Sequence, residues 1–106
     1  MQFRGGMNEL MRQAARVQRK IEQTKKDFQD KEIVAGAAGD KVKATVTYAR
    51  KVTRIEIDPD FLKSEGMELA LDAAVAAVNS AIEQADKAME AEVEKVTGGV
   101  KIPGVV

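Results

Sequence analysis

Apolar residues recur along the first third of the chain at Met7, Leu10, Ala14, Val17, Ile21 and Phe28, and Thr24 fills the one remaining slot. The gaps alternate between three and four residues. They form a heptad seam along one helix face, with Met7, Ala14, Ile21 and Phe28 at a and Leu10, Val17 and Thr24 at d. No Gly or Pro interrupts residues 8–31 and Asn8 suits an N-cap, so the pattern predicts one helix of about 35 Å. From Glu32 the period drops to two. Residues 32–35 form a short strand, residues 36–40 a Gly-rich turn, and residues 41–48 alternate strictly. Val42, Ala44, Val46 and Tyr48 share one face, and Lys41, Lys43, Thr45 and Thr47 share the other. A third strand spans residues 52–57, with Thr53, Ile55 and Ile57 on one face. It stops at Asp58-Pro59 because proline cannot donate to a ladder.

Beyond Phe61 and Leu62, Ser64 and Glu65 supply a helix start, and the helix is expected to run to Gly98-Gly99. Two stripes mark it. Leu71, Val75, Val78, Ile82, Ala85 and Met89 repeat the seam spacing, and Ala70, Ala74, Ala77, Ala81 and Ala88 lie beside them. Such a helix can pack on a sheet and on another helix at once. The expected architecture is a single α+β domain over residues 1–106, ordered α-β-β-β-α: a three-stranded antiparallel meander flanked by two long helices. Residues 1–7 and 98–106 are expected to be flexible ends.

Composition removes most chemistry. The 106 residues contain no Cys, His or Trp, so thiolate and imidazole catalysis are excluded, as are the commonest metal sites. Ser64 and Ser80 have no imidazole base. Asp58 and Asp60 suit a turn cap before proline better than a metal pair, and Gly36 and Gly39 are not followed by the Lys-Ser/Thr of a phosphate loop. Glu90, Glu92 and Glu94 point different ways around a helix. No enzyme activity, cofactor, metal or small-molecule substrate is expected. No stretch approaches the roughly 20 apolar residues of a membrane span, so a cytoplasmic location is expected and a membrane is not an expected partner.

A formal net charge of +0 conceals an asymmetry. Residues 1–31 carry eight basic side chains against four acidic, giving +4, whereas residues 67–106 carry three against seven, giving −4. Arg12, Arg19 and Lys26 fall at f, opposite the seam, with Arg16 beside them and Lys20 next along the wheel. Long charged side chains ordinarily fill a solvated helix face. The prevalence of arginine tilts the reading toward phosphate, which a guanidinium can hold bidentately. Only 4% of residues are aromatic, which leaves a thin core for an isolated chain of this size. A homodimer is therefore expected, with Val75, Val78, Ile82 and Met89 at its interface.

Four stretches in order resemble the bacterial YbaB/EbfC family of nucleoid-associated proteins. They are N-E-L-M-R-Q-A from Asn8, R-I-E-I-D-P from Arg54, A-A-V-A-A-V-N-S-A from Ala73, and G-G-V-K-I-P-G from Gly98. The resemblance implies a homodimer with helical arms projecting from a joined sheet core like tweezers. It also implies binding of double-stranded DNA with little or variable sequence preference, in the service of chromosome organisation and gene regulation. Carried over by position, Arg12, Arg16, Arg19, Lys20 and Lys26 face the DNA. The alternative from another class is a prefoldin-like holdase or a coiled-coil interaction module, for which Phe3, Met7 and Met11 would supply an apolar helix tip.

Overall fold

The computed structural model describes residues 2–98, with side chains from Gly6 onward. Helix α1 spans Gln2–Phe28, strands β1, β2 and β3 span Glu32–Ala37, Val42–Thr47 and Val52–Ile57, and helices α2 and α3 span Pro59–Glu65 and Met67–Thr97. The molecule measures 75 × 20 × 17 Å with a radius of gyration of 20.1 Å. A compact chain of about 100 residues would have roughly 13 Å. The excess comes from the long helices reaching past the sheet.

The strands form an antiparallel meander in the order β1-β2-β3. Val42, Ala44 and Val46 are fully buried on its inner face, as the alternation predicts, and Lys43 stands exposed on the other. Thr47, expected beside Lys43 on the wet face, is instead buried where the strand enters the turn, and its hydroxyl accepts from the Lys51 N–H. Against the inner face lies the small-residue face of α3, with Ala70, Ala77, Ala81 and Ala85 fully buried and Ala74 nearly so. Alanine leaves no side chain beyond Cβ, so the helix backbone sits close to the sheet and the core is thin. One cluster joins Ala35, Val46, Ala81 and Ala85, and a second joins Val42, Ala44, Ala74 and Ala77. Helix α3 covers β1 and β2 and scarcely touches β3.

Four boundaries differ from the sequence expectation. Asn8 is not an N-cap, because α1 begins at Gln2 and runs through Gly5 and Gly6. Once a helix exists, each further residue adds a hydrogen bond for one fixed backbone unit, and that offsets the modest cost of glycine. The same helix ends at Phe28, three residues early. Strand β1 continues through Gly36 and Ala37 because Lys43 and Val42 are available to pair with them; the turn shrinks to residues 38–41. Last, Ser64 does not open the final helix. Asp58 caps α2, its side chain accepting from the Asp60 N–H at 2.8 Å, with Pro59 in the first turn. Gly66 at φ 88° then separates α2 from α3, a backbone state open to glycine and costly for other residues.

Thr53 also departs from expectation. The β2–β3 register shifts between Thr45 and Val46, so Thr45 pairs with Arg54 and Val46 with Val52, leaving Thr53 as the extra residue of a bulge. Its hydroxyl donates to the Glu32 carboxylate at 2.9 Å instead of joining Ile55 and Ile57. At the far end α3 stops where expected, with Gly98 in the left-handed conformation and its N–H donating to the Glu94 carbonyl. The expectations for Met1 and residues 99–106 lie outside the described residues.

Candidate nucleic-acid interface

Helix α1 is attached to the rest of the molecule over its C-terminal half only. Ile21 and Thr24 are buried, Val17 and Phe28 are half-buried, and every residue from Gly6 to Arg16 is exposed. Its packing partner is α3. At the sheet end the Phe28 ring stacks on Tyr48 with centroids 6.4 Å apart, and the Lys31 ammonium lies 4.8 Å above the Phe28 ring. These contacts fix the root of the helix and leave its first half projecting.

Arg12, Arg16, Arg19, Lys20 and Lys26 are all exposed. At about 100° per residue they occupy one arc of about 120°, with Arg12, Arg19 and Lys26 opposite the seam, Arg16 beside them and Lys20 at the end bordering the seam. Arg12, Arg19 and Lys26 repeat every ~10.5 Å along the axis. Arg12 is 3.8 Å from Glu9, a loose and solvated pair. Among the described residues no carboxylate lies within ion-pair distance of Arg16, Arg19, Lys20 or Lys26.

Cations elsewhere are mostly neutralised. Lys41 pairs with Asp58 at 3.7 Å, Arg50 with Asp86 at 3.4 Å, Arg54 with Glu56 at 3.2 Å, Lys87 with Glu83 at 3.5 Å and Lys95 with Glu92 at 2.6 Å. Among the described residues Lys31, Lys43, Lys51 and Lys63 have no such partner; Lys31 lies over the Phe28 ring, and the other three are scattered over a strand, a turn and a short helix. The positive field of the molecule therefore concentrates on α1.

The four residues expected at a dimer interface are not equivalent. Val75 is 61% exposed, whereas Val78 and Ile82 are half-buried against the sheet clusters. Met89 is half-buried in a groove of about 510 Å³, which it lines with Tyr48, Val93 and Lys25 beside the Arg50–Asp86 pair. Sequence reasoning missed Val52 and Ile55, which stand 45% and 46% exposed on β3 where α3 does not reach. Only the placement of α3 over the sheet reveals them.

Among the described residues no group of three acidic side chains is placed to hold a metal, and no helix is long and apolar enough to cross a membrane. The described residues form an elongated α+β chain with a projecting cationic helix. Its fold is shared with a crystal structure of an uncharacterized protein from Helicobacter pylori, at a TM-score of 0.68 and 13% identity, over 86% of this chain and 96% of that one. The model of the YbaB/EbfC DNA-binding family matches residues 3–100, and the chain belongs to that family. It is 35% identical to a nucleoid-associated protein of Clostridium acetobutylicum over 95% of this chain and 90% of that one. Another, from Alkaliphilus metalliredigens, is 36% identical over 93% and 87% respectively.

Proposed function

We propose that this chain works as a homodimer that binds double-stranded DNA through backbone phosphates, with Arg12, Arg16, Arg19, Lys20 and Lys26 as the contacting residues. The observation that carries the reading is the concentration of exposed cations along α1, of which Arg12 alone among Arg12, Arg16, Arg19, Lys20 and Lys26 has a carboxylate of the described residues within ion-pair distance, the loose one of Glu9. Phosphate contacts position a protein without reading bases, so sequence preference is weak. The role that follows is organisation of the nucleoid and, through it, gene regulation in the cytoplasm.

The dimer is supported by apolar surface that the single chain leaves open. Val52 and Ile55 on β3, together with Leu71 and Val75 on α3, are each between 45% and 61% exposed. A second copy placed there removes them from water and covers the edge of the sheet. The test is a gel shift with random-sequence duplex, comparing the natural chain with Arg12→Glu/Arg19→Glu/Lys26→Glu. Loss of binding by a variant that stays folded and assembled supports the proposal. Undiminished binding overturns the ridge assignment. The holdase alternative draws on the exposure of Met7, Leu10 and Met11. Suppression of client aggregation together with no DNA shift would favour it.

A further inference from the structure

The seam of α1 is a helix-accepting face that runs out of helix to accept. Over its C-terminal half the seam residues Ile21 and Thr24 are 1% and 7% exposed where α3 packs on α1. Over its N-terminal half the same seam continues through Met7, Leu10 and Ala14 to Val17, with Met11 alongside. There Met7, Leu10 and Met11 are 62%, 66% and 67% exposed. Exposed side chains of this size on one face of a projecting helix call for an occupant.

Two features of the sequence identify it. The seam is palindromic about Arg12: Met7 and Val17 lie five residues to either side, and Leu10 and Ala14 lie two. A second copy laid antiparallel therefore sets Met7 against Val17 and Leu10 against Ala14, each a larger side chain facing a smaller one, and both contacts occur twice by symmetry. The flanks of the stretch from Met7 to Val17 are also uncharged. Gly6 and Gln13 border it on one side and Met11 and Gln18 on the other, so no like charges meet within this stretch. Glu9, Arg12 and Arg16 sit at outer positions, and Arg4, at a flanking position of the heptad, precedes the stretch. Lys20 and Lys25 enter the flanking positions only where α3 begins to cover the seam.

We infer that the N-terminal halves of two α1 helices, from separate assemblies of this chain, pair antiparallel through Met7, Leu10, Ala14 and Val17. The contact is about 15 Å long and falls short of the ~1,200 Å² of a standard stable interface, so it is weak in free solution. The cationic ridge faces away from it. This inference does not rest on the DNA reading and is tested without DNA.

Sedimentation velocity of the full chain from about 5 to 500 µM should show mass growing beyond its low-concentration value. Leu10→Lys should lower that association at least tenfold with unchanged circular dichroism, since Leu10 supports nothing in the single chain. Orientation is read by mixing Met7→Cys and Val17→Cys chains under mild oxidation. Cross-links between the two variants should exceed those within either one. Preferential Met7→Cys self-linkage, or mass independent of concentration, overturns the inference. A third arm removes residues 99–106. If association then rises tenfold or more, that segment and not a second copy occupies the seam, and the inference fails.

Discussion

The hydroxyl of Thr24 donates to the Lys20 carbonyl at 2.8 Å, one turn back along its own helix, although Thr24 is only 7% exposed and faces α3. The one polar residue in the heptad seam is thus satisfied locally and asks nothing of its neighbour. That carbonyl already accepts a backbone bond within the helix, so losing the hydroxyl orphans no acceptor.

Thr24→Val should therefore be tolerated, raising stability by about 0.5–1 kcal/mol through the apolar atom it adds to a buried site. Thr24→Asp places an unpaired charge there and should cost about 3 kcal/mol. Urea denaturation of both variants checks this. A loss above roughly 1.5 kcal/mol for the valine variant would mean that the hydroxyl has a second role.

The alanine stripe of α3 sets how closely helix and sheet approach. Ala81 is fully buried against Ala35 and Val46, so Ala81→Leu must push the helix off the sheet and should cost at least 1–3 kcal/mol. Ala76 is exposed on the same helix. Ala76→Leu should shift stability by no more than about 0.5 kcal/mol. Equal effects of the two substitutions would contradict the packing described.

Much of this was legible because two periods carried it. The alternation from Val42 to Val46 and Ala70, Ala74, Ala77 and Ala81 of α3 announced their buried faces directly, whereas Thr47, expected on the wet face, is buried and Ala88 is only half-buried. Glycine misled in both directions. The glycine-free run from Asn8 suggests a start there, yet Gly5 and Gly6 lie inside the helix, whereas Gly66, given no role in the sequence pattern, divides α2 from α3. Local preference lost at the first pair because helix propagation outweighed it, and at Gly36 because a neighbouring strand offered a ladder. The bulge at Thr53 left no trace, since strict alternation in one strand cannot show where its partner slips by a residue. For the ridge, the spacing of Arg12, Arg19 and Lys26 gave the arc. Whether carboxylates from other elements neutralise it depends on tertiary placement.

The open strips separate two kinds of interface variant. Leu71 and Val75 are 54% and 61% exposed in the single chain, so Leu71→Lys/Val75→Lys should leave the fold intact and halve the mass in sedimentation. Val78 and Ile82 pack against the sheet clusters, and Val78→Lys/Ile82→Lys should instead abolish cooperative unfolding. If the Leu71/Val75 variant keeps the natural mass at micromolar concentration, the dimer forms elsewhere.

Salt dependence tests the phosphate contacts by number. With Arg12, Arg16, Arg19 and Lys26 of each protomer meeting DNA, a dimer makes up to about eight contacts, and the log of the affinity should fall against log salt with a slope as steep as about −7, from roughly −0.9 per phosphate. Lys20 lies nearest the seam and should add least. Replacing Arg16 alone with Gln removes about two contacts per dimer and should flatten the slope by about 2, equally for unrelated DNA sequences. Lys41→Glu/Lys43→Glu on the sheet should change it much less, because Lys41 is already beside Asp58 and Lys43 is one isolated cation on a strand. A steep slope that survives removal of Arg12, Arg16 and Arg19 yet collapses with the strand lysines would place the DNA on the sheet face.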